Sequence, residues 1–125
     1  MKDGDDVTIV ATGFALHRAY EAADLLEKNG IHARLINIHT IHPLDKDLIL
    51  KAAKETGKIV TVEEHFVVGG LGSAIAELLS VEYPVPMKIV GVPHKYVENG
   101  PYKELLGLYG LLPDQIAQTV KDFIQ

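Results

Sequence analysis

Glu63, Glu64 and His65 stand side by side and are closely followed by Gly69, Gly70, Gly72 and Ser73 in the stretch VEEHFVVGGLGSA. A carboxylate next to an imidazole can orient the ring and hold its proton near neutral pH, so the first three residues form a candidate acid–base set. The run before them reads as a buried strand. Alternation along a strand sends neighbouring side chains to opposite faces, so at most two of the three converge easily. The competing reading is a salt-bridged strand end or an interdomain contact. The glycines tolerate unusual backbone angles, and a helix starting near Leu71 would offer free N–H groups, with Ser73, to a small anion. GGLGS matches neither G-x-G-x-x-G nor a Walker loop with its lysine, and close packing of loop and helix against a neighbouring surface accounts for the same glycines.

The histidines carry less. His39 and His42, in HTIHP, are three apart, yet Pro43 follows and no helix sets both imidazoles on one face, which disfavours zinc. His17, His32 and His94 are isolated and read as solvated or hydrogen-bonded surface residues. The chain has no cysteine, which removes disulfides, thiolate nucleophiles and cysteine metal sites together and fits a reducing interior.

These residues sit in a repeating strand–helix pattern. VTIVAT (7–12) is a continuous β-rich run ended by Gly13, as expected of a strand buried on both faces. The segment 14–29 follows as a helix, with Leu16, Ala19, Tyr20, Ala23 and Leu26 on one face and Gly30 as its stop. IHARLINI (31–38) is a second strand. Pro43 and Asp45 open a helix through about Thr56, with Asp45 as N-cap and Gly57 as terminator. KIVTVEE (58–64) and LGSAIAELLSVEY (71–83) are the third strand and helix, and MKIVGV (87–92) is the fourth strand. HKYVENGPY is a loop, YKELLGLYG a short helix, and Pro113 starts a terminal helix with Ile116, Val120, Phe123 and Ile124 on one face.

Strands alternating with helices imply a mainly parallel sheet covered on both faces, in one domain without linker or repeat. Four strands is a minimum, because YPV (83–85) or the first residues could add another. Ligands of such sheets gather at the carboxyl ends of the strands, where the loops after residues 12, 38, 64 and 92 meet.

The 125 residues carry a net charge of -5, with basic residues interleaved among acidic ones, which argues against nucleic acid or an anionic membrane as partner. The opening MKDGDD lacks the apolar run of a secretory signal, and no stretch approaches the roughly 18 apolar residues of a membrane span. A cytoplasmic protein is expected.

Taken in order, DVTIVATG, LLEKNGIHARLINIHTIHPLD, IVTVEEHFVVGGLGSAIAELL, KIVGVPHKYVENG and ELLGLYGLLPDQIAQTV resemble the C-terminal domain of transketolase over nearly the whole chain. The superfamily also takes in 1-deoxyxylulose-5-phosphate synthase and the β-subunits of 2-oxo acid dehydrogenases. The resemblance implies a three-layer α/β/α domain with a mixed, mostly parallel five-stranded sheet. It implies thiamine diphosphate and a divalent metal (Mg) held between pyrimidine- and pyrophosphate-binding domains across a homodimer interface, with a two-carbon ketol unit passed between sugar phosphates of the pentose phosphate pathway. Nothing resembles the family's G-D-G metal motif, and 125 residues leave no room for those two domains. The expectation is therefore a non-catalytic third domain, excised or separately encoded. Glu63, Glu64, His65, Gly69, Gly70 and Gly72 match the family's strand–loop–helix corner as an interdomain or substrate-mouth surface. Phe14, His42, His94 and Val97 depart from the pattern, as does Leu112, which lacks a capping hydroxyl. A 2-oxo acid dehydrogenase-type docking domain, using the loop His94–Asn99, and an independent small-anion sensor at Gly72–Ser73 remain as alternatives.

Overall fold

The computed structural model describes residues 2–66, 70–92 and 102–125, with the backbone alone at 65, 66 and 102. Its elements run β1 (Val7–Ala11), α1 (Ala15–Lys28), β2 (Ala33–Asn37), α2 (Lys46–Thr56), β3 (Ile59–Phe66), α3 (Leu71–Glu82), β4 (Met87–Val92), α4 (Tyr102–Leu108) and α5 (Pro113–Ile124). The four strands form one parallel sheet in the order β2-β1-β3-β4. Every residue of β1 is buried, Thr8 included, as its β-rich run of Val, Thr, Ile, Val and Ala suits a central strand with helices on both faces.

One face of the sheet packs against α1 and α5 through Val7, Ile9, Leu35, Val60 and Val62. The other packs against α2 and α3 through Val10, Ile36 and Ile59. Burying these two aliphatic layers is the main stabilising term, at about 25 cal/mol per Å² of apolar surface removed from water.

Local chemistry sets the helix ends. The Asp45 carboxylate accepts the backbone N–H of Leu48 at 3.2 Å, and Gly57 ends α2 at φ 72°, a left-handed angle that glycine adopts without steric cost. Pro113 starts α5, Leu112 before it supplies no side-chain cap, and the side-chain oxygen of Gln115 accepts the N–H of Leu112 at 3.1 Å.

Two expectations need correction. The five-stranded mixed sheet is four-stranded and parallel among the described residues: segment 83–85, which contains Pro84 and is followed by Pro86, adds no strand. The antiparallel component is a single bridge from Lys2 to Leu35 at the β2 edge, because the chain bends away at Asp5 and Asp6 before a ladder can extend. The expected face of α1 is also rotated. Ala15, Ala19, Ala22, Ala23 and Leu26 are buried, whereas Tyr20 is 45% exposed and its ring lies 5.6 Å below the Lys2 ammonium. Small alanines let α1 approach the sheet closely, and the amphipathic tyrosine is left to the rim.

Candidate functional site

The parallel order brings the carboxyl ends of β1, β2, β3 and β4 to one edge of the sheet. The strand β3 runs past its neighbour there. Its pairing with β1 stops at Ala11 opposite Val62, and its register with β4 shifts between Val62 and Phe66. Residues 63–65 therefore lie where the ladder is irregular.

Glu63 turns toward α3. It is 1% exposed, and its two carboxylate oxygens accept the backbone N–H groups of Leu71 at 2.9 Å and Gly72 at 2.8 Å. The helix has no cap of its own: Gly70 precedes it without a side chain, and its first turn holds no acid. A carboxylate from β3 thus satisfies two donors that a helix start leaves open, and its charge is favoured by the positive end of the helix dipole.

Gly72 is required by a second contact. A Cβ there would lie 2.6 Å from Cγ2 of Ile89 and 2.8 Å from Oγ1 of Thr61, so the first turn of α3 rests directly on β3 and β4. The Thr61 hydroxyl beneath it is buried and has no hydrogen-bond partner among the described residues. Gly70 is buried and Ser73 half-buried at the same corner.

Glu64 turns to the opposite face, as strand alternation requires, and pairs with the guanidinium of Arg18 from α1. Arg18 also donates through Nε to the carbonyl of Leu111 at 2.9 Å, so one side chain ties α1, the end of β3 and the turn before α5 together. The candidate acid–base set is thereby divided between the two faces of the sheet. Gly69, His94, Val97 and the loop His94–Asn99 lie outside the described residues, as does the side chain of His65.

Elsewhere on this edge, Asn37 and His39 lie within hydrogen-bond distance at 3.2 Å, and His42 is exposed. His17 faces solvent beside Glu21 at 3.1 Å, and His32 is exposed. Phe14 is 83% exposed at the start of α1. Among the described residues, no group of three or more His, Asp or Glu is placed to hold a metal ion. The N–H groups of Leu71 and Gly72, which a diphosphate would need at the start of α3, are bonded to Glu63. The start of α3 therefore offers neither of these two donors to a diphosphate. No described helix is long and apolar enough to cross a membrane.

Arg18 did not stand out as a functional residue in the sequence, although a signal was available. It lies on the stripe of Ala15, Ala19 and Ala22, and a charge on an apolar stripe needs a partner.

A parallel sheet sandwiched by helices, with the start of α3 capped by a carboxylate from β3, defines a three-layer α/β/α domain. The chain belongs to the "Transketolase, C-terminal domain" family, which it matches over residues 1–116. It is 47% identical over 123 residues to 1-deoxy-D-xylulose-5-phosphate synthase of Heliobacterium modesticaldum, covering 98% of this chain and 19% of that protein. It is 44% identical over 123 residues to a subunit of the apulose-4-phosphate transketolase of Phocaeicola vulgatus, covering 98% of this chain and 39% of that one. Among solved structures it superposes on a split-gene transketolase, described as an inactive β4 tetramer, with TM-score 0.93 and 46% identity over 98% of this chain and 40% of the other. The chain thus spans between 19% and 39% of the length of these two curated relatives.

Proposed function

We propose that this chain is the C-terminal domain of a thiamine diphosphate-dependent, cytoplasmic transketolase that passes two-carbon ketol units between sugar phosphates, and that the domain supplies no reacting group. The observation that carries this reading is the fate of Glu63: both carboxylate oxygens are committed to the start of α3, inside the fold. A group so engaged and buried presents neither oxygen to a substrate at the surface.

On this reading the carboxyl edge, with Phe14, Glu64, His65 and the Gly69–Ser73 corner, meets the pyrimidine- and pyrophosphate-binding domains and shapes the entrance to the active site. Those domains hold thiamine diphosphate and Mg and form the homodimer. Two relatives, one a single subunit of a transketolase and the other a split-gene transketolase, support a partner polypeptide.

The test combines the purified chain with a polypeptide carrying those two domains. Ketol transfer is expected from the mixture and from neither component alone. Micromolar binding of thiamine diphosphate to the chain by itself, read by calorimetry, would overturn the proposal.

One observation favours a second reading, the 47% identity to a 1-deoxy-D-xylulose-5-phosphate synthase. Assaying the same mixture for 1-deoxy-D-xylulose 5-phosphate separates the two reactions, and the role of the domain is the same in both.

A further inference from the structure

β2 is the outermost strand on its side of the sheet, and the backbone of an outermost strand is a row of open donors and acceptors that a further strand can occupy. Here residues 2–6, KDGDD, lie along it. Lys2 exchanges both backbone hydrogen bonds with Leu35, donating at 3.3 Å and accepting at 2.8 Å. At Gly4 the two backbones touch: a Cβ there would lie 2.4 Å from the carbonyl oxygen of His32 and 2.6 Å from the carbonyl carbon of Ala33.

Side chains hold the segment from both faces of the sheet. The Lys2 ammonium bonds to Asp24 and to Glu27 of α1, the latter at 3.0 Å. On the other face Arg34 donates through Nε to the Gly4 carbonyl at 3.1 Å, while its Nη1 reaches Glu55 of α2 at 2.6 Å. What the segment lacks is an apolar side chain. None of its five residues enters either aliphatic layer, and Asp3, Asp5 and Asp6 are exposed. A stretch held only by hydrogen bonds and ion pairs near the surface belongs to the part of a fold that opens locally, at a free energy below that of global unfolding.

We propose that residues 2–6 are a detachable guard of the β2 edge: they lift off without unfolding the core, and the edge they cover pairs with β2 of a second copy once they are displaced. The guard's own bridge to Leu35 is antiparallel, so the edge already accepts an antiparallel strand. Two β2 strands related by a two-fold axis meet in that same sense. While seated, the guard fills the Leu35 backbone groups and lays three aspartates along the edge, a charge that discourages a further strand. Neither step depends on the reaction in which the domain takes part.

Native-state hydrogen exchange and sedimentation velocity of the full chain test the two halves. In Gly4→Val the added side chain meets backbone, which cannot give way, so the guard is displaced. Exchange at the Leu35 amide should rise by about tenfold or more, with the amides of Ile9 and Val60 in the buried strands unchanged. Lys2→Met, which leaves the backbone contacts in place, should raise it by a smaller factor. At matched concentration Gly4→Val should sediment as a larger species than the parent. Adding Asn37→Pro should restore the parent's behaviour, because the Asn37 N–H faces the same side of the strand as that of Leu35 and proline has none to offer. The proposal is overturned if Gly4→Val fails to fold, or exposes Ile9 and Val60 together with Leu35, since the guard would then be part of the core. It is overturned equally by unchanged Leu35 exchange in both variants, by sedimentation of Gly4→Val identical to the parent's, or by a larger species that survives Asn37→Pro.

Discussion

The Glu63 carboxylate accepts the backbone N–H of Gly72 at 2.8 Å across nine residues of sequence, joining the end of β3 to the first turn of α3. With the Leu71 N–H on its other oxygen, the side chain occupies the place an external anion would take. Glu63→Gln keeps the size but turns one end into an amide donor facing a backbone donor. The expected loss is about 1–3 kcal/mol. A lower urea midpoint at unchanged slope, with faster hydrogen exchange at Leu71 and Gly72, would show it; an unchanged midpoint would mean that these bonds contribute nothing net.

Gly72→Ala tests the other half of the corner. The added methyl meets Ile89 and Thr61, both anchored in the sheet, and overpacking of this kind costs about 1–3 kcal/mol. Because the two residues touch, Ile89→Ala in the same chain should recover part of the loss, giving a non-additive double-mutant cycle. Strict additivity would place the strain elsewhere.

Thr61 is expected to behave in the opposite sense. Its hydroxyl is buried without a partner among the described residues, so Thr61→Val exchanges an unsatisfied polar atom for a methyl of similar shape. A gain of about 1 kcal/mol in thermal or urea unfolding is expected. A loss would reveal a hydrogen bond that the hydroxyl makes in solution.

Arg18 serves two acceptors, the Glu64 carboxylate and the Leu111 carbonyl. Arg18→Met keeps the apolar stem and removes both, at an expected cost of about 2–4 kcal/mol. Arg18→Lys should restore little, since one ammonium lacks the fork that reaches both groups. If lysine proved equivalent to arginine, the geometry of the pair would be irrelevant and only its charge would matter.

The Lys2 ammonium is held above its ordinary pKa, first by its hydrogen bond to Asp24 and then by that to Glu27. The folded value is the raised one, so the contribution is fully present below the ordinary lysine value of about 10.4 and is lost as pH rises through the folded value. Lys2→Met should therefore make the unfolding midpoint less sensitive to pH on the alkaline side while lowering it only slightly at neutral pH, because the site is near the surface. Parallel alkaline profiles for parent and variant would assign that pH dependence to another group.

Much of this architecture is written in short-range patterns. The β-rich run at 7–11, the Asp45 and Gly57 signals around α2 and Pro113 at the start of α5 each act within a few residues, which is why their elements were legible. The adjacency of Glu63, Glu64 and His65 was equally visible, and alternation alone forbade their easy convergence. Their partners were another matter. Glu64 meets an arginine 46 residues earlier, and Glu63 meets backbone N–H groups, which every residue except proline possesses and which leave no mark on composition. The rotation of α1 was hidden for a related reason: alanine is compatible with either side of a helix, and only the close approach of the sheet and α5 selects the buried one.

The sequence by itself thus determined the order of elements and the edge on which the polar corner lies, because periodicity and caps are local properties of the chain. Only the tertiary structure decided that the corner's first carboxylate is enclosed beneath α3 and its second is held by α1. Those choices depend on which groups packing brings within about 3 Å, a distance that sequence separation does not encode.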